Sequence, residues 1–287
     1  MSLTLFRLKV SREREEKRMM RTSLWMGGLV AVMAMGCSVS TTDNSITFKT
    51  KTKFEASNAS TLTYDVEWTG QPIVINDDGV NPATGDTGLT VVAGADTTRV
   101  SLTAKIVSFA DVEADAQLAI KDVQDGLKIE EKDGKIVVTC GHGQAHGSAD
   151  QAGSGCDKLT VNVPAGSLSK PMDLTVGLGI GDLNVSGVVG TINAKGNGVG
   201  DVDVNVTPTK GSTVDVEGEG AVVVRLPYDF SADVVNLSVD DSASVDTADF
   251  PGIVSGQAYG TVGQGASRVS AKSNGILSSD TVTLKKQ

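Results

Sequence analysis

Aromatic side chains are scarce: eleven in 287 residues, with Phe6 and Trp25 preceding Cys37. Few rings are available to hold a sugar, and the acids are spread along alternating strands rather than paired in a cleft. Both facts argue against two-carboxylate glycoside hydrolysis. Histidine is scarcer still, with His142 and His146 alone, both inside one glycine-rich stretch. A Ser-His-Asp triad therefore has no braced imidazole to use. No Gly-x-Ser-x-Gly elbow occurs, and no phosphate loop. These absences lead to the expectation that the chain is not an enzyme. Basic charge is also short: the chain carries −10, and residues 1–36 hold seven Lys/Arg against three Asp/Glu, so the part from Cys37 onward carries −14. A surface of that sign repels phosphate backbones, which excludes nucleic acid as an expected partner, and it offers no basic patch to anionic lipid.

No apolar run reaches the roughly 20 residues of a membrane-spanning helix. The run at 24–35, Leu-Trp-Met-Gly-Gly-Leu-Val-Ala-Val-Met-Ala-Met, follows Arg21 and ends at Gly36-Cys37. A basic segment, a short apolar segment and a small residue before a cut describe a secretory signal. Ala34-Met35-Gly36-Cys37 resembles the lipobox of bacterial lipoproteins, with Met35 the imperfect position. The resemblance implies removal of residues 1–36 and acylation of Cys37, with palmitate as the expected label. Several acyl chains on one cysteine give a firm membrane anchor. The expected address is the cell envelope, on the outer membrane, since Ser38 is not the Asp that retains some lipoproteins at the inner one. The charged stretch from Arg7 to Arg18 is atypical before an apolar segment, which makes Met19 or Met20 a candidate start. Residues 37–45 are small and polar and read as a tether.

With Cys37 acylated, Cys140 and Cys156 remain. An even pair in an oxidising compartment reads as a disulfide closing a polar loop. His142 and His146 lie within that loop, so Cys140, His142, His146 and Cys156 could instead form a tetrahedral Cys₂His₂ metal site. No other cofactor is expected.

From Ile46 the text is strand text. Leu62, Tyr64 and Val66 alternate with polar neighbours, and Pro72-Ile73-Val74-Ile75 ends at the turn cluster Asn76-Asp77-Asp78-Gly79. One helix is expected at about 111–124, rich in helix formers and stopped near Gly126, with Val112, Ala116, Ala119, Ile120 and Val123 on the face that packs against a sheet. Farther on, Gly179-Ile180-Gly181-Asp182-Leu183-Asn184-Val185 is echoed 19 residues later by Gly198-Val199-Gly200-Asp201-Val202-Asp203-Val204, and after another 20 by Gly218-Glu219-Gly220-Ala221-Val222-Val223-Val224. A fixed period with glycine at the corners is the signature of a solenoid. Leu183/Val185, Val202/Val204 and Val222/Val224 would stack inward, with Asn184, Asp203 and Val223 outward. The fold class expected is all-β: a parallel β-solenoid-like repeat domain with one short helix packed on it, and a β-sandwich as the rival. The division reads as 46–158, an N-terminal β region with the helix and Cys loop, and 159–287, the repeat region. Asp182 and Asp201 recur at one rung position. They read either as solvated corner residues or as stacked carboxylates for Ca²⁺.

The run Leu159-Thr160-Val161-Asn162-Val163-Pro164, the two Gly-x-Gly-Asp rungs, Leu226-Pro227-Tyr228-Asp229-Phe230 and the closing segment from Gly263 to Ile276 together resemble the putative-adhesin β-strand-repeat family of bacterial surface and periplasmic proteins. The match covers roughly 159–284 clearly and 46–140 loosely. The resemblance implies a solenoid-like sheet and surface display, and it carries no catalytic residues. The function expected is a lipid-anchored, extracytoplasmic, adhesin-like structural or interaction protein without catalysis, its partner an unknown protein or a surface glycan. The rival is a metal- or ligand-binding envelope lipoprotein working through the Cys140–Cys156 loop.

Overall fold

The computed structural model describes residues 37–43, 49–50, 54–64, 67–80, 87–94, 98–149, 151–227, 232–239, 244–250, 259–262, 267–275 and 280–287. The expected signal at 1–36, residues Tyr228 to Phe230 and residues 263–266 lie outside them. The described residues form nineteen strands and one α-helix. The N-terminal strands are β1 (Cys37–Asp43), β2 (Lys49–Thr50), β3 (Phe54–Tyr64), β4 (Ile73–Asp77), β5 (Gly88–Gly94) and β6 (Val100–Ala110). Helix α1 (Glu113–Gly126) follows, then β7 (Lys128–Lys132), β8 (Lys135–Cys140), β9 (Ser154–Pro164), β10 (Met172–Leu178) and β11 (Asp182–Gly196). The remainder are β12 (Val202–Thr207), β13 (Thr213–Gly218), β14 (Val222–Leu226), β15 (Ala232–Val239), β16 (Ser244–Asp246), β17 (Tyr259–Val262), β18 (Ser267–Ser273) and β19 (Thr281–Lys286).

Alternation builds these strands. Val202, Val204 and Val206 of β12 are buried, while Asp203 and Asn205 between them are half-buried. β-Branched side chains suit an extended backbone, and a period of two sends one parity to the core. One sheet, A, runs β9, β5, β11, β12, β14, β19, β16, every neighbouring pair parallel. Leu183 pairs with Val202 and Val202 with Val222, while Val185 pairs with Val204 and Val204 with Val224. This is the register the repeat predicts. Sheet B runs β8, β4, β10, β11, β13, β18, β15, also parallel throughout. Its buried row is Ile136, Ile73, Leu174, Ile192, Val214 and Val269. Strand β11 serves both sheets, residues 183–189 pairing with β12 and 190–196 with β10. The inward rows of the two sheets meet in one apolar core. Each fully buried Val, Leu or Ile contributes about 1.5–3 kcal/mol there relative to exposure.

The corners explain the glycines. A Cβ on Gly200, whose φ is +152°, would lie 2.1 Å from the carbonyl oxygen of Gly181, its counterpart one rung earlier. Backbone rests directly on backbone at this seam.

All-β architecture with one helix is what the sequence implied. The winding differs. Strands β4 and β5 lie between β8/β9 and β10/β11, although they precede both in the chain. At the other end β18 and β19 lie between β13/β14 and β15/β16, although they come last. Antiparallel strands complete the system: β6 on β9, β3 on β6, β1 on β3, β7 on β8 and β17 on β15. The sheets are therefore mixed, and simple chain-order winding stops at both ends. An open parallel edge leaves a row of unpaired N–H and C=O groups, and the added antiparallel strands occupy it. The antiparallel pairing that a sandwich would place between 183–185 and 202–204 does not occur, since those strands are parallel.

Three boundaries move. Residues Cys37–Asp43, read as a tether, form β1 and pair with β3. The division at 158/159 falls inside β9. The helix spans Glu113–Gly126 rather than 111–124. Ala116, Ala119, Ile120 and Val123 are buried as expected, but Val112 sits at the N-cap and is half exposed. Helix α1 packs on β6, β3 and β9. No helix among the described residues is long and apolar enough to cross a membrane.

Candidate binding face and the Cys140–Cys156 corner

The outer parity of sheet A forms a row across the strands. Thr160, Thr90, Asn184, Asp203 and Val223 are successive cross-strand partners. A shallow trough of about 320 Å³ is lined by Thr87, Thr90, Lys158, Thr160, Asp182 and Asn184. A second, of about 240 Å³, shares Asp182 and Asn184 and continues along Asp201, Asp203 and Val223. Hydroxyl, amide and carboxylate groups thus recur at the interstrand spacing of about 4.8 Å. Such a face can hydrogen-bond an extended polar ligand.

The carboxylates here have structural work as well. Asp182 Oδ1 accepts the backbone N–H of Asp201 at 2.9 Å, and Asp201 Oδ1 accepts that of Ala221 at 2.9 Å. Each acid braces the corner of the next rung, so the recurrence of Asp after Gly has a backbone explanation. Asp203 takes a two-pronged contact from Arg225, at 2.7 Å from Nη2 and 2.9 Å from Nε. That carboxylate raises the Arg225 pKa. With both side chains about a third exposed, solvent screening limits the pair to less than about 1 kcal/mol.

Cys140 and Cys156 are joined by a disulfide, their Cα atoms 6.3 Å apart. The loop they close lies outside the repeat, but both cysteines sit in ladders. Cys140 ends β8 in sheet B, opposite Asp77, and Cys156 lies in β9 of sheet A, opposite Ile106. The bond therefore ties the two sheets together in the outermost rung. The loop is also fastened to α1. Ser148 donates to Asp115 Oδ2 from its backbone N–H and from its hydroxyl, each at 2.8 Å. Ser148 Oγ in turn accepts the N–H groups of Asp111 and Val112 at 3.0 and 2.9 Å, which fastens the segment leading into the helix. The two hydrogen bonds from Ser148 hold the Asp115 pKa below its ordinary value. His146 Nε2 lies 2.6 Å from Asp122 Oδ2, and this contact lowers the Asp122 pKa. His142 Nδ1 lies 3.2 Å from the carbonyl oxygen of Ser154. With the sulfurs bonded to each other and His146 turned to the helix, the four-donor Cys₂His₂ arrangement is not assembled in this disulfide form.

Asp77 was missed by the sequence reading. It lay in a turn cluster, yet it continues the buried parity of Ile73 and Ile75. Its Oδ1 accepts the N–H of Gly79 at 3.0 Å, while Oδ2 is buried without a hydrogen-bond partner. A carboxylate oxygen of Asp77 and the two sulfurs lie within 4.8 Å of one another. Burial pushes the Asp77 pKa up to about 7, opposed by the Gly79 hydrogen bond.

No family model matches the chain, and no curated protein matches it. Among solved structures, a putative adhesin from Parabacteroides distasonis is similar at 12% identity, over 79% of this chain and 96% of that chain, with a TM-score of 0.20. A likeness at that score carries no argument about fold or function.

Proposed function

We propose that the chain is a lipid-anchored, extracytoplasmic, adhesin-like protein that works by binding, without catalysis, through the outer face of sheet A. The observation that carries this reading is the continuous polar row from Thr160 to Asp203 with troughs along it. The two ladders are a solenoid-like stack whose end rungs have exchanged places. A stack of this kind displays a long face at low cost, because the groups that hold rungs together point inward or along the corners. Asp182 and Asp201 are occupied with backbone N–H groups and His146 with Asp122, an arrangement that favours display over acid–base chemistry. The partner is an envelope or surface protein, or a surface glycan whose hydroxyls match the row, and nucleic acid is excluded by charge. The anchor is acyl chains on Cys37, and the outer membrane is the expected address. Since Cys37 begins a paired strand, the folded part would stand close to the bilayer.

The test uses the intact protein in its native envelope. Cross-linking through a photoreactive group at Asn184 should capture one partner, and Thr90→Ala with Asp203→Ala should reduce that capture several-fold. Capture undiminished by these changes, or catalytic turnover traced to this face, would contradict the reading. Cys37→Ser should abolish palmitate incorporation, and unchanged labelling would refute the anchor.

A further inference from the structure

We propose that Asp77, Cys140 and Cys156 form a metal site, concealed by the disulfide and opened on reduction, that binds one borderline-soft divalent cation of the Zn²⁺ class through two thiolates and a carboxylate.

The placement of the donors comes first. Asp77 and Cys140 are direct partners across the parallel pair β4–β8, and Cys156 reaches the same point from β9 in the other sheet. All three residues are buried, and their ligand atoms lie within 4.8 Å of one another. A tetrahedral site needs Zn–S distances of about 2.3 Å and Zn–O of about 2.0–2.2 Å. Those lengths put the sulfurs roughly 3.8 Å apart and the oxygen about 3.5 Å from each. Breaking the S–S bond and rotating two side chains supplies that change. The Cα separation of 6.3 Å lies toward the wide end of what a disulfide spans, so the backbone need not yield.

The second observation is independent of the sulfurs. Asp77 Oδ2 is buried with no partner. An unsatisfied buried carboxyl oxygen is costly, and the neighbouring rungs place Leu178 and Cys140 at the same register. A carboxyl is kept there at a cost that the disulfide form does not repay. Coordination to a cation repays it.

The chemistry balances. Two external thiols reduce the disulfide, becoming oxidised to a disulfide themselves and leaving two S–H groups on the protein. As the cation enters, both thiol protons leave to solvent, together with the carboxyl proton wherever Asp77 carries one, and water completes the fourth position. Thiolates with one oxygen donor suit Zn²⁺ or Co²⁺ better than Ca²⁺ or Mg²⁺. His146, held by Asp122, takes no part.

The experiment uses the full chain with Cys37→Ser, so that its thiol does not contribute. The protein is reduced with a phosphine and titrated with Co²⁺, whose thiolate charge-transfer and tetrahedral ligand-field bands report the donor set. Bound Zn²⁺ is then counted after displacement. One equivalent should bind in the reduced form and none in the disulfide form. Asp77→Asn, shown by circular dichroism to fold in its disulfide form, should weaken binding by roughly tenfold or more, and His146→Ala should leave it unchanged. No Co²⁺ bands from the reduced parent protein would overturn the proposal without reference to any variant. Equal affinity in Asp77→Asn, or an equal loss in His146→Ala, would also overturn it.

Discussion

From β10 to β14 the chain lays each rung on the one before, in the order in which it is written. At the two ends it does not: a rung from elsewhere in the chain is inserted one place in from the edge. The middle is held by repetition, with buried Val and Leu in register and glycine corners in backbone contact. The N-terminal end is held by particular devices, namely a disulfide, a helix fastened to the Cys loop through Ser148, and a hairpin whose edge strand reads Lys-Ile-Glu-Glu-Lys. Repetition suffices where every rung has two neighbours. Where one neighbour is missing, the edge must be covered or charged, and that takes residues no period dictates.

The largest contrast should come from glycine. Gly200→Ala places a methyl group 2.1 Å from a carbonyl oxygen and should cost about 4 kcal/mol or more. Gly134, in the β7–β8 turn at φ +70° with nothing within 4 Å of its would-be Cβ, should cost only about 1 kcal/mol as Ala. Urea unfolding of the two variants measures the difference, and equal costs would deny the corner seam. Next is the disulfide. Reduction in the presence of a chelator should lower stability by about 3 kcal/mol in the chain-entropy picture. Hydrogen exchange should rise first in β8, β9 and the helix, while β12 and β14 keep their protection.

Within the middle, Val204→Ala should cost about 1–3 kcal/mol. Asp203→Asn removes a screened contact with Arg225 and should cost about 0.5 kcal/mol. Chemical denaturation of both resolves inside from outside. The smallest effect is one of pH. Asp115 and Asp122 have folded pKa values below their ordinary ones, so their contribution is present above the unfolded value and lost as pH falls through the folded value. Acidification through the carboxylate range should therefore speed exchange at Gln144, whose N–H donates to Asp122 Oδ2, and at Ser148, whose N–H donates to Asp115 Oδ2, before β12 responds.

Much of the middle was legible. Leu183-Asn184-Val185 and Val202-Asp203-Val204 gave register, direction and parity, because each rung repeats its neighbour's local solution. The same text stands at Leu89-Thr90-Val91 and Leu159-Thr160-Val161, so membership of the stack could have been read there too. Order could not. Which rung lies beside which depends on pairings between segments some 70 residues apart, and any apolar–polar–apolar triplet fits any other. At the corner, Cys140 with Cys156 followed from compartment and count. Asp77 did not, because a buried acid in a turn-like cluster looks the same in sequence as a solvated one. His146 and Asp122 meet only because the loop folds back over the helix.

The insertion of β5 between β9 and β11 is the claim on which the binding face rests, since it makes Thr90 the immediate neighbour of both Thr160 and Asn184. Paired cysteines test it directly. Thr90→Cys with Asn184→Cys should form a cross-link on mild oxidation, because adjacent strands lie about 4.8 Å apart. Thr160→Cys with Asn184→Cys should not, being two strands apart and beyond the roughly 7 Å that a disulfide can span. The opposite outcome, with Thr160 and Asn184 linked and Thr90 left free, would mean that the chain winds in simple order and that the face is not built as described.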